Sequence, residues 1–367
     1  MKNRKFKRAV AFVLSLYTLV GALSITAFAS ESVCAEDIDA APALSENVQV
    51  SSRLYELFFG KSEEAEKTSL IFGGGVFGVK MRQKYVTVTD AKGVPALRAG
   101  DIILSVNGES VSTAKDVKRI VESSSGESVT IRALHSGNEI GVEIRPTLEN
   151  GEYKIGLSLR DGAAGLGTVT FIDKESGMFG GLGHGICDSE SGEVISMESG
   201  EVCGVILGGV HKGECGKPGE LCGVLTEVDL GDLSLNCDCG VFGVITDSAM
   251  LSGREMEIAP KSEVKEGEAT IISTIKNGKT AEYKIEIYDI DRSSDGSKSF
   301  RIRVTDVTLK ALTGGIVRGM SGSPIIQNGK LVGAVTHVMV ADPTEGYGIF
   351  IENMLSAAGK ISLPKAA

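Results

Sequence analysis

Apolar and polar positions alternate along this chain far more often than they follow a helical period. Val76-Phe77-Gly78-Val79-Lys80-Met81 reads as a short β-run, and Tyr85 to Thr89 alternates with Val86 and Val88 on one face. The Asn107-Gly108 pair marks a tight hairpin turn. A helix is expected from about Ser112 to Val121. Its apolar positions Ala114, Val117, Ile120 and Val121 share one face, and Ser112 or Thr113 can cap it. Val129 to Ala133 and Ile140 to Ile144 close this module as strands. Beyond residue 150, strand-like runs recur at 153–159, 167–172, 202–210, 241–246, 269–275, 281–289, 300–307 and 331–340. Clusters of Gly, Asp, Ser and Asn separate them, and Glu352 to Ala358 is the clearest helical stretch. Many short strands with regular turns predict a mainly β fold, a sandwich or a barrel.

The phrase Ala96-Leu97-Arg98-Ala99-Gly100-Asp101-Ile102-Ile103-Leu104-Ser105-Val106-Asn107-Gly108 resembles the signature of PDZ domains. The resemblance covers residues 70–148. It implies that Val76, Phe77, Gly78 and Val79 form the loop whose amides receive a peptide carboxylate, with the 112–121 helix as the opposite wall. Residues 150–367 then form a second domain.

Composition narrows the picture. The chain has 367 residues, a formal charge of −10, 47 glycines and no Trp. Length allows about two domains. The acidic balance excludes a phosphate-backbone partner, so no nucleic acid is expected. Lys2, Arg4, Lys5, Lys7 and Arg8 precede an uncharged run from Ala9 to Ala27, and Ala27-Phe28-Ala29 offers a small-x-small cleavage site. Residues 1–29 are read as a signal peptide or membrane anchor, either of which exports the rest of the chain. Residues 30–69 are read as a linker. Cys34 stands apart from Cys187, Cys203, Cys215, Cys222, Cys237 and Cys239. Disulfides, free thiols, or zinc held by His211, Cys215 and Cys237-x-Cys239 are the three readings of that cluster. No CxxC pair with finger-like spacing is present, and neither a metal nor a cofactor is assigned.

The strongest chemical signal is Gly319-Met320-Ser321-Gly322-Ser323-Pro324. A serine between glycines on a tight turn keeps its hydroxyl clear and lets amides converge. The amides of Gly319 and Ser321 are the expected oxyanion hole. The segment resembles the G-x-S-G-x-P signature of chymotrypsin-type serine proteases, followed by a hairpin through Asn328-Gly329. By that resemblance the backbone from Val335 to His337 pairs with a substrate strand. Serine needs a base. Of the four histidines, His135 sits in a surface turn and His211 in a polar stretch. His184, between glycines in Gly183-His184-Gly185, is the favoured base, with His337 as the alternative. For the acid that orients the base, Asp306, Asp247 and Asp342 stay open, and Asp188 is too local.

Several segments together are similar to the stage IV sporulation protein B peptidase family. They are Asp306 to His337, Arg160-Asp161-Gly162 through Thr168, the Gly181-Leu182-Gly183-His184 turn, and Asp342-Pro343-Thr344-Glu345-Gly346-Tyr347-Gly348. The resemblance implies a triad of His184, Asp306 and Ser321 in a chymotrypsin-like double β-barrel behind a PDZ domain. It also implies a role: export to the space between forespore and mother-cell membranes, self-cleavage, and cleavage of a regulator of a membrane-embedded metalloprotease, which releases a late mother-cell sigma factor. Two rivals remain in view. One is a quality-control protease of the high-temperature-requirement type, whose peptidase precedes its PDZ domain. The other is a PDZ adaptor with a degenerate peptidase.

Overall fold

The computed structural model describes residues 69–188, 192–276 and 278–359. The expected export segment, nearly all of the expected linker and Cys34 lie outside these residues. Among the described residues no helix is long and apolar enough to cross a membrane.

The described chain starts with β1 (Ser69–Phe72) and β2 (Val76–Asp90). Next come β3 (Ile102–Val106), β4 (Glu109–Ser110), α1 (Ala114–Ser123), β5 (Val129–His135) and β6 (Asn138–Ile144). A two-stranded ribbon of β7 (Thr147–Glu149) and β8 (Glu152–Lys154) follows. Then follow β9 (Ser158–Ile172), the short β10 (Met178–Gly181), the long β11 (Met197–His211) and β12 (Glu220–Cys237), and β13 (Gly240–Ile245). After β14 (Glu255–Glu257) come β15 (Gly267–Lys276), β16 (Lys279–Tyr288) and β17 (Phe300–Val304). The chain ends with α2 (Val307–Thr313), β18 (Pro324–Gln327), β19 (Lys330–Val338), β20 (Glu345–Phe350) and α3 (Ile351–Ala358).

Two rings of antiparallel strands result. In the first, β2, β9, β10, β13, β12 and β11 pair in cyclic order, with β11 returning to β2. In the second, β15, β16, β17, β20, β19 and β18 close a six-stranded barrel. Closure removes the exposed strand edges that an open sheet of this size would present. Phe77, Val79, Met81, Val169, Phe179, Val202 and Val241 fill the first ring, and Ile271, Ile285, Phe300, Ile302, Val335 and Phe350 fill the second. Each such side chain contributes roughly 1.5–3 kcal/mol on burial. Leu70, Phe171, Phe242, Ile326, Ile349 and Met354 form a further buried cluster that joins strands of both rings.

The PDZ-like module does not precede the first ring; it interrupts it. The two expected runs, Val76 to Met81 and Tyr85 to Thr89, are one strand, β2. Its first half pairs with β9 and β11 in the ring. Its second half pairs with β3, Val86 opposite Ile103 and Thr87 opposite Ile102. β9 is shared in the same way. A separate core of Val86, Ile103, Val117, Val121, Val129 and Ile131 marks the inserted module. The expected module boundaries at 70–148, and a second domain beginning at 150, therefore give way to an insertion between the two halves of a ring. Alternation identifies a strand but not the sheet it joins, which is why the pattern alone misplaced residues 70–83.

Helix α1 forms where it was expected. Thr113 Oγ1 accepts from the Asp116 amide while the Asp116 carboxylate accepts from the Thr113 amide, a reciprocal cap. Helix α2 was not expected. Asp306 caps it, accepting from the amides of Thr308 and Leu309, and Gly314 at φ 79° ends it.

Candidate active site

The loop bearing Ser321 lies between α2 and β18 and is fastened to the first ring. Thr168 on β9 donates its Oγ1 to Gly319 O at 2.8 Å and its amide to Ser321 O at 2.9 Å. Thr170 Oγ1 donates to Gly322 O at 2.7 Å. Both threonines are fully buried. Gly322 has φ 92°, and a Cβ there would overlap the Thr168 carbonyl, so only glycine fits. The carbonyls of Gly319, Ser321 and Gly322 are thus all held on the β9 side. Among the described residues, the amides of Gly319 and Ser321 have no protein acceptor. Two unpaired donors that flank a serine are what a developing oxyanion requires. From the other side, Arg318 exchanges backbone bonds with Gly219 and Leu221 near the start of β12, and Leu221 packs on Gly319.

His184 reaches the same cleft from the first ring. β10 runs beside β9 as far as Gly181, and the Leu182 amide then donates to Thr168 O at 3.3 Å. Gly183, at φ 68°, packs against Thr336 and Val335 and turns the chain so that His184 enters the cleft. The His184 ring stacks on His337 with centroids 4.6 Å apart. Ser321 Oγ donates to Thr336 O at 2.7 Å, one residue before His337. A cavity of about 370 Å³ opens here, lined by His184, His337, Leu182, Ile186, Leu166 and Ala164. His184 Nδ1 lies 2.8 Å from Gly185 O. That carbonyl can only accept, so Nδ1 carries the proton and Nε2 keeps its lone pair. Burial lowers the His184 pKa from its ordinary value, and the bond to Gly185 O works against that. Burial, then the charges of His184 and Lys298, pushes His337 down to about 4.

Asp306 is not part of this cluster. Thr336 Oγ1 donates to Ser297 O at 2.8 Å, which places the entrance of β17 by the cleft, and Asp306 follows the opposite end of that strand. Its carboxylate accepts from the amides of Thr308, Leu309 and Lys284. Burial raises its pKa, but the bonds from Leu309, Lys284 and Thr308 outweigh it and hold the group below its ordinary value. Of the triad expected from the resemblance, Ser321 bonds to the Thr336 carbonyl, His184 stacks on the adjacent His337, and Asp306 caps a helix. The N-cap signal, an Asp directly before Val-Thr-Leu, was available in the sequence. Thr168, which holds the loop bearing Ser321, gave no signal there.

The other expected residues fall as follows. Val76, Phe77, Gly78 and Val79 lie inside β2, paired with Thr168 to Gly165 on β9, and Gly78 and Val79 pair with β11 as well. Phe77 and Val79 are buried in the first ring, so these four form no carboxylate loop. The groove of the inserted module lies elsewhere, between α1 and the segment from Tyr153 to Leu159. It encloses about 540 Å³ and is lined by Val117, Val121, Tyr153, Ile155, Leu157 and Leu159. His135 Nδ1 meets an Asp101 carboxylate oxygen at 2.8 Å. His211 clusters with Glu220 and Cys222, their ligand-type atoms all within 4.8 Å, rather than with Cys215 or the Cys237-x-Cys239 pair. The six described cysteines form no disulfide with one another.

Comparison with known proteins finds matches for both parts of the chain. A PDZ domain model matches residues 96–134, and the model of the SpoIVB peptidase S55 family matches residues 151–355. A probable periplasmic DegP-like serine endoprotease from Bartonella henselae is 39% identical over 67 residues, which cover 17% of this chain and 13% of that protein. The chain thus matches only a small part of that relative's length. Among solved structures, the PDZ domain of an SdrC-like protein from Listeria monocytogenes is 26% identical, covering 21% of this chain and 87% of its own, with a TM-score of 0.19. The active form of the Rv3671c protease from M. tuberculosis is 10% identical, with coverage of 92% and 96% and a TM-score of 0.33. The family model spans more than half of the chain, and it carries the assignment: this PDZ-containing serine endopeptidase belongs to the SpoIVB peptidase S55 family.

Proposed function

We propose that Ser321 is the nucleophile and His184 the general base of an exported endopeptidase of sporulation. It cleaves its own chain and a regulator of a membrane-embedded metalloprotease, between the forespore and mother-cell membranes. Membership of the SpoIVB peptidase family supports the biological role. The chemistry rests on one observation: the amides of Gly319 and Ser321 are unpaired beside a serine hydroxyl, while the carbonyls of both residues are held by Thr168.

In the resting geometry Ser321 Oγ donates to Thr336 O. The reaction requires a rotation about Cα–Cβ that turns the hydroxyl from Thr336 O to the His184 Nε2 lone pair. Nε2 takes the proton as Oγ attacks the scissile carbonyl, and the amides of Gly319 and Ser321 receive the oxyanion. The imidazolium then protonates the leaving amine, and water repeats the sequence on the acyl-enzyme. Gly185 O holds Nδ1–H throughout, the orienting task that a carboxylate performs in most serine proteases. No cofactor takes part in these steps.

Labelling with a fluorophosphonate probe tests the reading. Modification is expected at Ser321, to be lost in Ser321→Ala and weakened in His184→Ala. A folded wild-type protein that neither labels nor cleaves itself would instead be a PDZ adaptor.

A further inference from the structure

The active cleft and the groove of the inserted module share one strand. Thr168 is where β9 meets the catalytic machinery: its amide binds Ser321 O and its carbonyl binds the Leu182 amide. There the chain of β10 leaves β9 and turns toward His184. From Leu166 back to Ser158, β9 has β2 on one edge, and among the described residues no strand lies on the other. By the alternation of antiparallel bonding, the groups of Leu166 and Ala164 face that open edge, as those of Thr168 do. Ala164 and Leu166 line the catalytic cavity, and Ser158 and Leu159 line the groove beside α1. Just before β9, the amides of Ile155, Gly156 and Leu157 have no protein acceptor among the described residues, and Gly156 has φ 70°. Such a turn of free amides at the end of an apolar groove suits a carboxylate.

We infer that the substrate is an extended peptide with a free C-terminus, held along the whole open edge of β9. This rests on the assignment of Ser321 and His184 above. Its terminal carboxylate sits on the amides of Ile155 to Leu157, and apolar residues near its end lie against Val117 and Val121. The rest pairs with β9 and arrives at Ser321. Polarity agrees at both ends. β10, the strand whose place the peptide takes, runs antiparallel to β9. A peptide ending at Leu157 does the same, so its C-terminal part lies on the leaving-group side of the scissile bond. Nine residues separate Leu157 from Leu166, about 30 Å of strand. The module therefore acts as a ruler, setting cleavage about eight to ten residues before the substrate's C-terminus. The Asp161 carboxylate accepts from the Ala114 amide at 2.8 Å across the upper end of the groove. An incoming chain passes beside this contact or replaces it.

Photo-cross-linking on Ser321→Ala protein tests the path without catalysis. The probe is a Gly/Ser-based peptide of about fourteen residues that ends in three apolar residues, long enough to span the strand. It carries benzoylphenylalanine at each position in turn. Positions near the carboxylate should cross-link to α1. Those about eight to ten residues upstream should cross-link to segment 163–187, and C-terminal amidation should weaken both about tenfold or more. Upstream positions that never reach 163–187, or cross-linking indifferent to amidation, overturn the proposal. Wild-type protein then separates it from the catalytic assignment. The cross-link pattern without any cleavage refutes Ser321 and His184 while keeping the path. Cleavage at a rate independent of distance from the C-terminus keeps the residues and refutes the ruler.

Discussion

The two rings differ in how their strands are gathered. The second is built from one uninterrupted stretch, residues 267–350, and carries Ser321 on a short loop within it. The first takes β2 from before the inserted module and β9 to β13 from after it, and it carries His184. The serine sits on a loop whose carbonyls are held from the first ring by Thr168 and Thr170. His184 is likewise placed by long-range pairing, above all through Thr168, whose amide and carbonyl bond to Ser321 and Leu182. A site split in this way should respond unequally to damage on its two sides.

The largest effect is expected from Ser321→Ala. It should lower kcat/KM about 10⁴–10⁶-fold with little change in melting temperature. A large drop in Tm would show that the serine holds the turn together instead. The two imidazoles come next. His184→Ala should cost about 10³-fold or more, and His337→Ala only about tenfold, since proton transfer depends on the first and packing on the second. Equal losses would make the pair act as one unit, and a reversed order would make His337 the base. Thr168→Val keeps the shape of the side chain but leaves the buried Gly319 carbonyl without a donor. A penalty of about 1–3 kcal/mol is expected, read as a fall in kcat with KM nearly unchanged.

The pH profile sharpens the contrast further. Both histidines have lowered pKa values, so both are neutral at pH 7. The acid limb of kcat/KM should therefore lie below the ordinary histidine value of 6.5. Stability follows linkage: below pH 6.5 the unfolded His337 takes up a proton that the folded one, at about 4, refuses. Denaturation midpoints should hold above pH 6.5 and decline as pH falls from there toward 4. The smallest effect belongs to Asp306→Asn. Asparagine caps helices as well as aspartate, so stability should change by less than about 0.5 kcal/mol, and probe labelling should persist. A loss of activity approaching that of His184→Ala would restore Asp306 as the partner of His184.

Legibility followed contiguity. Val117, Ile120 and Val121 announced α1 because a helix shows its period within a few turns. The Gly319 to Pro324 turn was equally local. Val76 to Val79 misled, because the same four residues satisfy the pattern of a module strand and of a ring strand, and their neighbours lie about 90 residues away on β9. Asp306 misled for the opposite reason. Its position relative to Ser321 suits a triad, but three backbone amides near it claim the carboxylate.

The amino-acid order by itself determined the mainly β character, the presence of a PDZ-like module and the serine-bearing turn. These depend on short-range periodicity and on glycine at particular positions. Only the tertiary structure decided that the module interrupts a ring, that Asp306 caps a helix while His184 packs on His337, and that one strand runs from groove to cleft. Those features depend on which distant strands hydrogen-bond to one another, and backbone pairing is nearly blind to side-chain identity.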